Sequence, residues 1–204
     1  MNDIYTMSML ISIISFILIT HITPGPTNVI LLSSVINYGY KKSFPFMFAN
    51  IISYPLLMIF TAFGIGVFLI EHDNIMFILK VVGLLYLCYM AWKIFNDSTS
   101  FENNSSITTK PFSFWQGLIY PWINPKAWIV YSSIITVFVT SVEKSSQQIS
   151  FIIFSIFIAM IITVSIWSFG GIVLKRFLKN KKVLKRVNQI MAILLVCSII
   201  PILF

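Results

Sequence analysis

The alternation of apolar and polar positions divides the chain into six long apolar runs. The first covers residues 4–40 and is interrupted at Pro24-Gly25-Pro26. As one straight helix it would extend about 55 Å against a hydrocarbon core of about 30 Å, so it must break or tilt. Lys41 and Lys42 mark a loop after it. The second run, residues 44–70, has no charge but contains Asn50, Ser53, Tyr54 and Pro55, which gives it one polar face. Ala62 and Gly66 have the small-xxx-small spacing that lets helices approach closely. A polar turn from Glu71 to Asn74 leads into the third run, residues 75–95, where Lys80 and Lys93 lie near the ends and can snorkel. Residues 96–111, rich in Ser, Thr and Asn, read as a flexible loop joining two halves. The fourth run, residues 112–142, is again overlong and is interrupted by the proline-broken stretch Tyr120-Pro121-Trp122-Ile123-Asn124-Pro125-Lys126. A polar loop over residues 143–148 precedes the fifth run, residues 149–174, and a basic loop precedes the sixth, residues 187–204. The pattern predicts an all-α integral membrane protein of six transmembrane helices.

The two interruptions organise the rest. A proline inside a helix removes a backbone hydrogen bond and clashes with the preceding turn. Lipid supplies no replacement partner, so a break persists only where protein or a water-filled cavity covers it. Residues 1–100 and 101–204 each hold three runs, and each half begins with its proline-broken run. Ser33-Ser34 and Ser132-Ser133 follow the two breaks at similar distances. An odd number of spans per half inserts the halves in opposite orientations. The expectation is one transmembrane domain, residues 1–204, built as two inverted three-helix repeats with the site at their interface.

Composition agrees with the membrane reading. The chain is 58% hydrophobic and 10% charged, where a soluble domain carries about 25% charged residues. Its 204 residues fit six helices and short loops, leaving no stretch for a soluble domain. The net charge of +8 comes largely from Lys175, Arg176, Lys179, Lys181, Lys182, Lys185 and Arg186. A basic cluster between spans is what the positive-inside rule expects, so nucleic-acid binding is not indicated. The alternation of basic loops places both termini outside and the basic loops in the cytoplasm. Cys88 and Cys197 fall in apolar runs without a CxxC pattern, and no basic residue precedes the first run, which argues against a cleaved signal peptide.

At the breaks the sequence becomes recognisable. Thr23-Pro-Gly-Pro-Thr-Asn28, with Gly39 and a basic pair after it, resembles the start of the LysE/RhtB family of amino-acid exporters. Gly83-Leu-Leu-Tyr-Leu-Cys-Tyr-Met-Ala-Trp-Lys93 is similar to a segment of that family, as is Gln116-Gly117 followed by Asn124-Pro125-Lys126. Residues 110–115 and 130–138 look most like its cysteine/O-acetylserine exporter branch. The resemblance implies six spans, proton-driven efflux of small neutral amino acids or derivatives, no cofactor, and a homodimer in the cytoplasmic membrane. Threonine, homoserine or leucine are the second choice of substrate, and another small solute or a metal ion the third. Many family members carry an acid where Tyr54 stands here. All six acids of this chain map to loops or ends, a departure that suits the cysteine branch and leaves the proton carrier open.

The candidate substrate-binding residues are Pro24, Gly25, Pro26, Thr27, Asn28, Asn50, Tyr54, Asn124, Pro125 and Lys126. The Pro24-Gly25-Pro26 break can turn a helix start, with its positive end, toward a substrate carboxylate. Asn28 and Asn124 can bond substrate or cap the broken ends. Lys126, the one charge placed near mid-membrane, can pair with a carboxylate or stabilise carbonyls at a cavity rim. Asn50 and Tyr54 share a helix face and can line the path. His21 is either a proton relay or a satisfied structural histidine. The Phe and Trp residues read mostly as lipid-facing or interfacial. An enzyme would need an embedded base, nucleophile or metal cluster, and a metal exporter would need ligands at membrane depth. His21 and His72 are separated with no embedded acid beside them, and the chain offers almost no metal ligands at that depth.

Overall fold

A computed structural model describes residues 4–96, 110–178 and 181–197. Thr6 opens the first helix, α1 (Met7–Ile22), by accepting from the Met9 N–H. It ends at Thr23, and α2 (Pro26–Tyr38) leaves at an angle of 52°. Gly39, at φ 82°, turns α2 into α3 (Tyr40–Phe60). A π-helical turn (Thr61–Ile65) joins α3 to α4 (Gly66–Glu71). Next come α5 (Asp73–Phe95), α6 (Phe114–Ile123), α7 (Pro125–Phe138), α8 (Ser145–Phe177) and α9 (Lys181–Cys197). A Ser113/Gln116 capping box starts α6. All secondary structure among the described residues is helical.

Both breaks fall within the expected stretches, but Pro121 of the second lies inside α6, as Pro45 and Pro55 lie inside α3, so a proline alone does not end a helix here. Pro26 and Pro125 each occupy the first helical turn after their break. There the missing N–H costs no hydrogen bond and φ is already suited to a helix. Elsewhere the chain is more continuous than the polar pattern predicts. Lys41 and Lys42 lie in the first turn of α3, because Gly39 alone makes the turn. Residues 145–148 start α8, and the basic cluster is largely helical. Lys175 and Arg176 end α8, while Lys181, Lys182, Lys185 and Arg186 begin α9 ahead of the expected start at residue 187. Lys and Arg are good helix formers, and at a helix end their long stems reach water. Lys179, the expected loop over residues 97–109 and the end of the sixth run, residues 198–204, lie outside the described residues. The second run is the opposite case. It is not one smooth helix but turns at Gly64, whose φ of 92° favours glycine.

Three helical stretches are long and apolar enough to cross a membrane: Tyr40–Glu71, Asp73–Phe95 and Ser145–Phe177. The bent α1–α2 pair makes a fourth. The fourth and sixth runs fall short of that criterion within the described residues, with α6 at 10, α7 at 14 and α9 at 17 residues, against about 20 for a span. Large apolar side chains such as Phe77, Leu85, Phe154 and Phe169 face outward, where only a hydrocarbon surround is favourable to them.

The inner packing is tight. α3 packs on α6 and α8, α8 also holds α1 and α2, and α5 packs on α9. At Gly117 a Cβ would come within 2.7 Å of the Phe46 carbonyl and 2.9 Å of Ala49, so α3 and α6 touch backbone to backbone. Gly66 of the small-xxx-small pair lies against Ser132 of α7. α2 and α9 are joined by a buried reciprocal amide pair, Asn37 and Asn188, with both Nδ2–Oδ1 bonds at 2.9 Å.

Candidate functional site

The first break leaves carbonyls at the end of α1 without helical partners, and side chains supply them. Asn28 Nδ2 donates to the His21 carbonyl at 2.8 Å and to the Thr23 carbonyl at 2.9 Å. The indole Nε1 of Trp167, from α8, donates to the Ile22 carbonyl at 3.1 Å. The second break is held by the same residue types. Asn124 Oδ1 accepts from the Lys126 N–H at 3.1 Å, and Trp128 Nε1 donates to the Trp122 carbonyl at 2.8 Å. An asparagine and an indole at each break meet the requirement that no backbone group be left orphaned in an apolar surround. Of the two roles open to Asn28 and Asn124, capping is present. Asn28 closes the end of α1 rather than capping α2, whose first turn it occupies. Trp128 and Trp167 are exceptions to the expectation that Phe and Trp mostly face lipid or the interface, because the freed carbonyls draw their N–H groups inward. Trp92 and Trp115 are exposed.

Between the breaks lies a cavity of about 70 Å³. Gly25, Pro26, Thr27, Asn28, Tyr54, Asn124, Lys126 and His21 line it, and the side chain of Lys126 is exposed there. Three of the sequence-derived candidates are elsewhere. Pro24 is exposed beside the break. Pro125 is buried behind it, against α5. Asn50 shares the buried face with Tyr54 but is one turn too far along α3. It packs on Gly117, and its Nδ2 donates to the Phe46 carbonyl at 2.7 Å.

The cavity also takes in residues the sequence did not single out: Tyr131 from α7, and Met160 and Thr163 from α8. Tyr131 carries no signal in sequence, being one aromatic among many. It reaches the cavity by bonding His21, with Nε2 3.0 Å from its hydroxyl. His21 Nδ1 lies 2.7 Å from the Ile17 carbonyl. A carbonyl only accepts, so Nδ1 carries the hydrogen, and the neutral ring's Nε2 accepts from Tyr131. The rings of His21, Tyr54 and Tyr131 lie 5.6 to 6.3 Å apart, forming one aromatic wall. Tyr54 is fixed by Thr27, hydroxyl to hydroxyl at 2.7 Å. Tyr120 receives a 3.1 Å bond from Asn124 Nδ2.

The two helix starts differ electrically. At α7 the Lys126 N–H is occupied by Asn124 Oδ1. At α2 the N-cap is Gly25, which has no side chain to offer, and the first backbone bond is made by the Val29 N–H to the Gly25 carbonyl. Thr27 and Asn28, which line the cavity, thus carry N–H groups without helical acceptors. They and the Lys126 ammonium make this end of the cavity attractive to an anion. Among the described residues no group of three or more His, Cys, Asp or Glu side chains could hold a metal ion.

Comparison with known proteins gives relatives over almost the whole length. The chain is similar to the cysteine/O-acetylserine efflux proteins of Escherichia coli strain K12 and Shigella flexneri serotype 5b strain 8401. Each is 30% identical over 190 residues, covering 91% of this chain and 93% of the relative. No solved structure matches. The family described as LysE type translocator matches residues 18–198, from the last turn before the first break to the end of α9. By that match the chain belongs to the LysE type translocators, and it is a transporter of cell membranes rather than an enzyme.

Proposed function

We propose that the chain exports small neutral amino acids or their derivatives, cysteine and O-acetylserine first, and that the substrate is held in the cavity between the two breaks. The observation that carries this reading is the unfilled N-terminus of α2 facing the same cavity as Lys126. A substrate carboxylate fits between the Thr27 and Asn28 N–H groups and the Lys126 ammonium. Its ammonium fits against the Tyr54 and Tyr131 rings, which attract a desolvated cation. The names of the relatives give the substrate class its first choice. In this reading the six apolar runs are six spans, in two inverted repeats of residues 1–100 and 101–204. Both termini lie outside and the basic ends of α8 and α9 in the cytoplasm, and two copies form a homodimer. Release follows by alternating access about the breaks.

Coupling to protons runs through His21 in this proposal. Protonation at Nε2 turns that atom from acceptor to donor, so the Tyr131 hydroxyl must rotate and the link between α1 and α7 is remade. His21→Gln keeps a polar side chain but removes the titration. The expected result is export whose rate no longer follows external pH. An unaltered pH profile removes His21 from the coupling.

The substrate reading is tested by efflux of radiolabelled cysteine, O-acetylserine, threonine and leucine from cells with and without the protein, before and after a protonophore. The expected outcome is efflux of cysteine and O-acetylserine that the protonophore collapses. Efflux of threonine or leucine alone moves the substrate within the family, and efflux of none overturns the amino-acid reading.

A further inference from the structure

Three buried side-chain polar atoms have no hydrogen-bond partner among the described residues: Asn50 Oδ1, Ser132 Oγ and Thr163 Oγ1. Asn50 and Ser132 are each pressed against a glycine of a crossing helix, Gly117 and Gly66. Thr163 is different. It is 1% exposed, it sits within α8, and it lines the cavity.

A helical threonine ordinarily satisfies its hydroxyl on the carbonyl one turn back. Thr61 and Thr136 do so, at 2.8 and 2.9 Å, as do Ser150 and Ser155 on α8 itself, both at 2.8 Å. Thr163 forgoes that bond although α8 offers the carbonyl. A buried hydroxyl without a partner is destabilising, so the arrangement calls for an occupant that supplies the bond.

The charged groups of an amino acid are already provided for on the other walls, by the α2 N-terminus, Lys126 and the aromatic rings. What remains for α8 is the substrate side chain. Met160, one turn before Thr163, adds a polarisable apolar surface beside the hydroxyl. We propose that Thr163 selects the substrate, by hydrogen bonding a small amino acid whose side chain carries oxygen or sulfur close to its Cα. This rests on the amino-acid reading of the cavity and adds to it which part of the substrate α8 recognises. A hydroxyl both donates and accepts, so it serves a thiol, a hydroxyl or an ester carbonyl, but it offers nothing to a plain alkyl side chain.

The test compares O-acetylserine with 2-aminobutyrate, which has an alkyl side chain, in the full-length protein. Thr163→Val keeps the shape of the side chain and removes the hydroxyl, while Thr163→Ser keeps the hydroxyl. The ratio of O-acetylserine to 2-aminobutyrate efflux is expected to fall about threefold to tenfold in T163V, the loss of one neutral hydrogen bond, and to be held in T163S. Protein level in the membrane and thermal stabilisation of the purified protein by each amino acid accompany the rates. A purely structural role would lower both rates together. That outcome, or a ratio unchanged from wild type, overturns the role of Thr163 and leaves the cavity's function standing. A wild-type protein that neither exports nor is stabilised by either amino acid overturns both.

Discussion

Replacing Lys126 by Met is expected to lower export about tenfold to a hundredfold while leaving the protein at its normal level in the membrane. The ammonium stands at the cavity with its side chain exposed, and it is not part of the packing that holds the second break. That break is held by Asn124 and Trp128, through bonds to and from the backbone that Met at position 126 preserves. The loss should therefore be one of binding. Removing a hydrogen bond to a charged group costs about 1.5–3 kcal/mol, and about 1.4 kcal/mol is tenfold. Lys126→Arg should retain part of the function, because the charge remains but the planar guanidinium requires a different approach to a carboxylate. Efflux of labelled substrate against immunoblotted protein checks both variants. Full-rate export by Lys126→Met would place the anion site on the α2 N-terminus alone.

The second large effect is expected at Gly83, on α5, far from the cavity in sequence. A Cβ there would run into the Ile123 carbonyl and come within 3.2 Å of Pro125 Cδ. Both belong to the second break, and one of them is backbone, which cannot swing aside. Gly83→Val should cost about 1–3 kcal/mol by overpacking, seen as a fall of several degrees in Tm in detergent. Export should fall further than stability alone explains, because the displaced segment is the one that presents Asn124 and Lys126. Gly170→Ala is the control. Its Cβ would meet only Leu32 Cδ1, at 3.9 Å, and an alanine within α8 favours the helix. A Gly83→Val protein with unchanged Tm and transport would mean that α5 can retreat from the break.

Some of this was legible in the chain and some was not. The membrane class and the helical content follow from unbroken apolar length, because hydrocarbon admits little else than helices. The two broken stretches follow as well from their prolines, but not the position of the second break, because Pro121 continues α6 while Pro125 begins α7. Most of the first break's residues line the cavity for the same reason: they are neighbours in sequence, and the turn keeps them together. Sequence by itself also placed Tyr54, one polar residue on an apolar run, but it could not separate it from Asn50. Both occupy the buried face of α3. Only the crossing of α6 at Gly117 decides that Asn50 faces a helix and Tyr54 faces the cavity.

What the tertiary structure alone decided is the far side of the site. Tyr131, Thr163, Trp128 and Trp167 are ordinary members of apolar helices, and nothing in their spacing marks them. Their roles come from what the breaks leave exposed: carbonyls that two indole N–H groups fill, a histidine nitrogen that a tyrosine hydroxyl meets, and a cavity lined by one threonine whose hydroxyl has no partner. Periodicity records which face of a helix is buried. It does not record which polar group on a neighbouring helix lies opposite, because that depends on how closely the helices approach, here set by glycines at positions 66, 83 and 117.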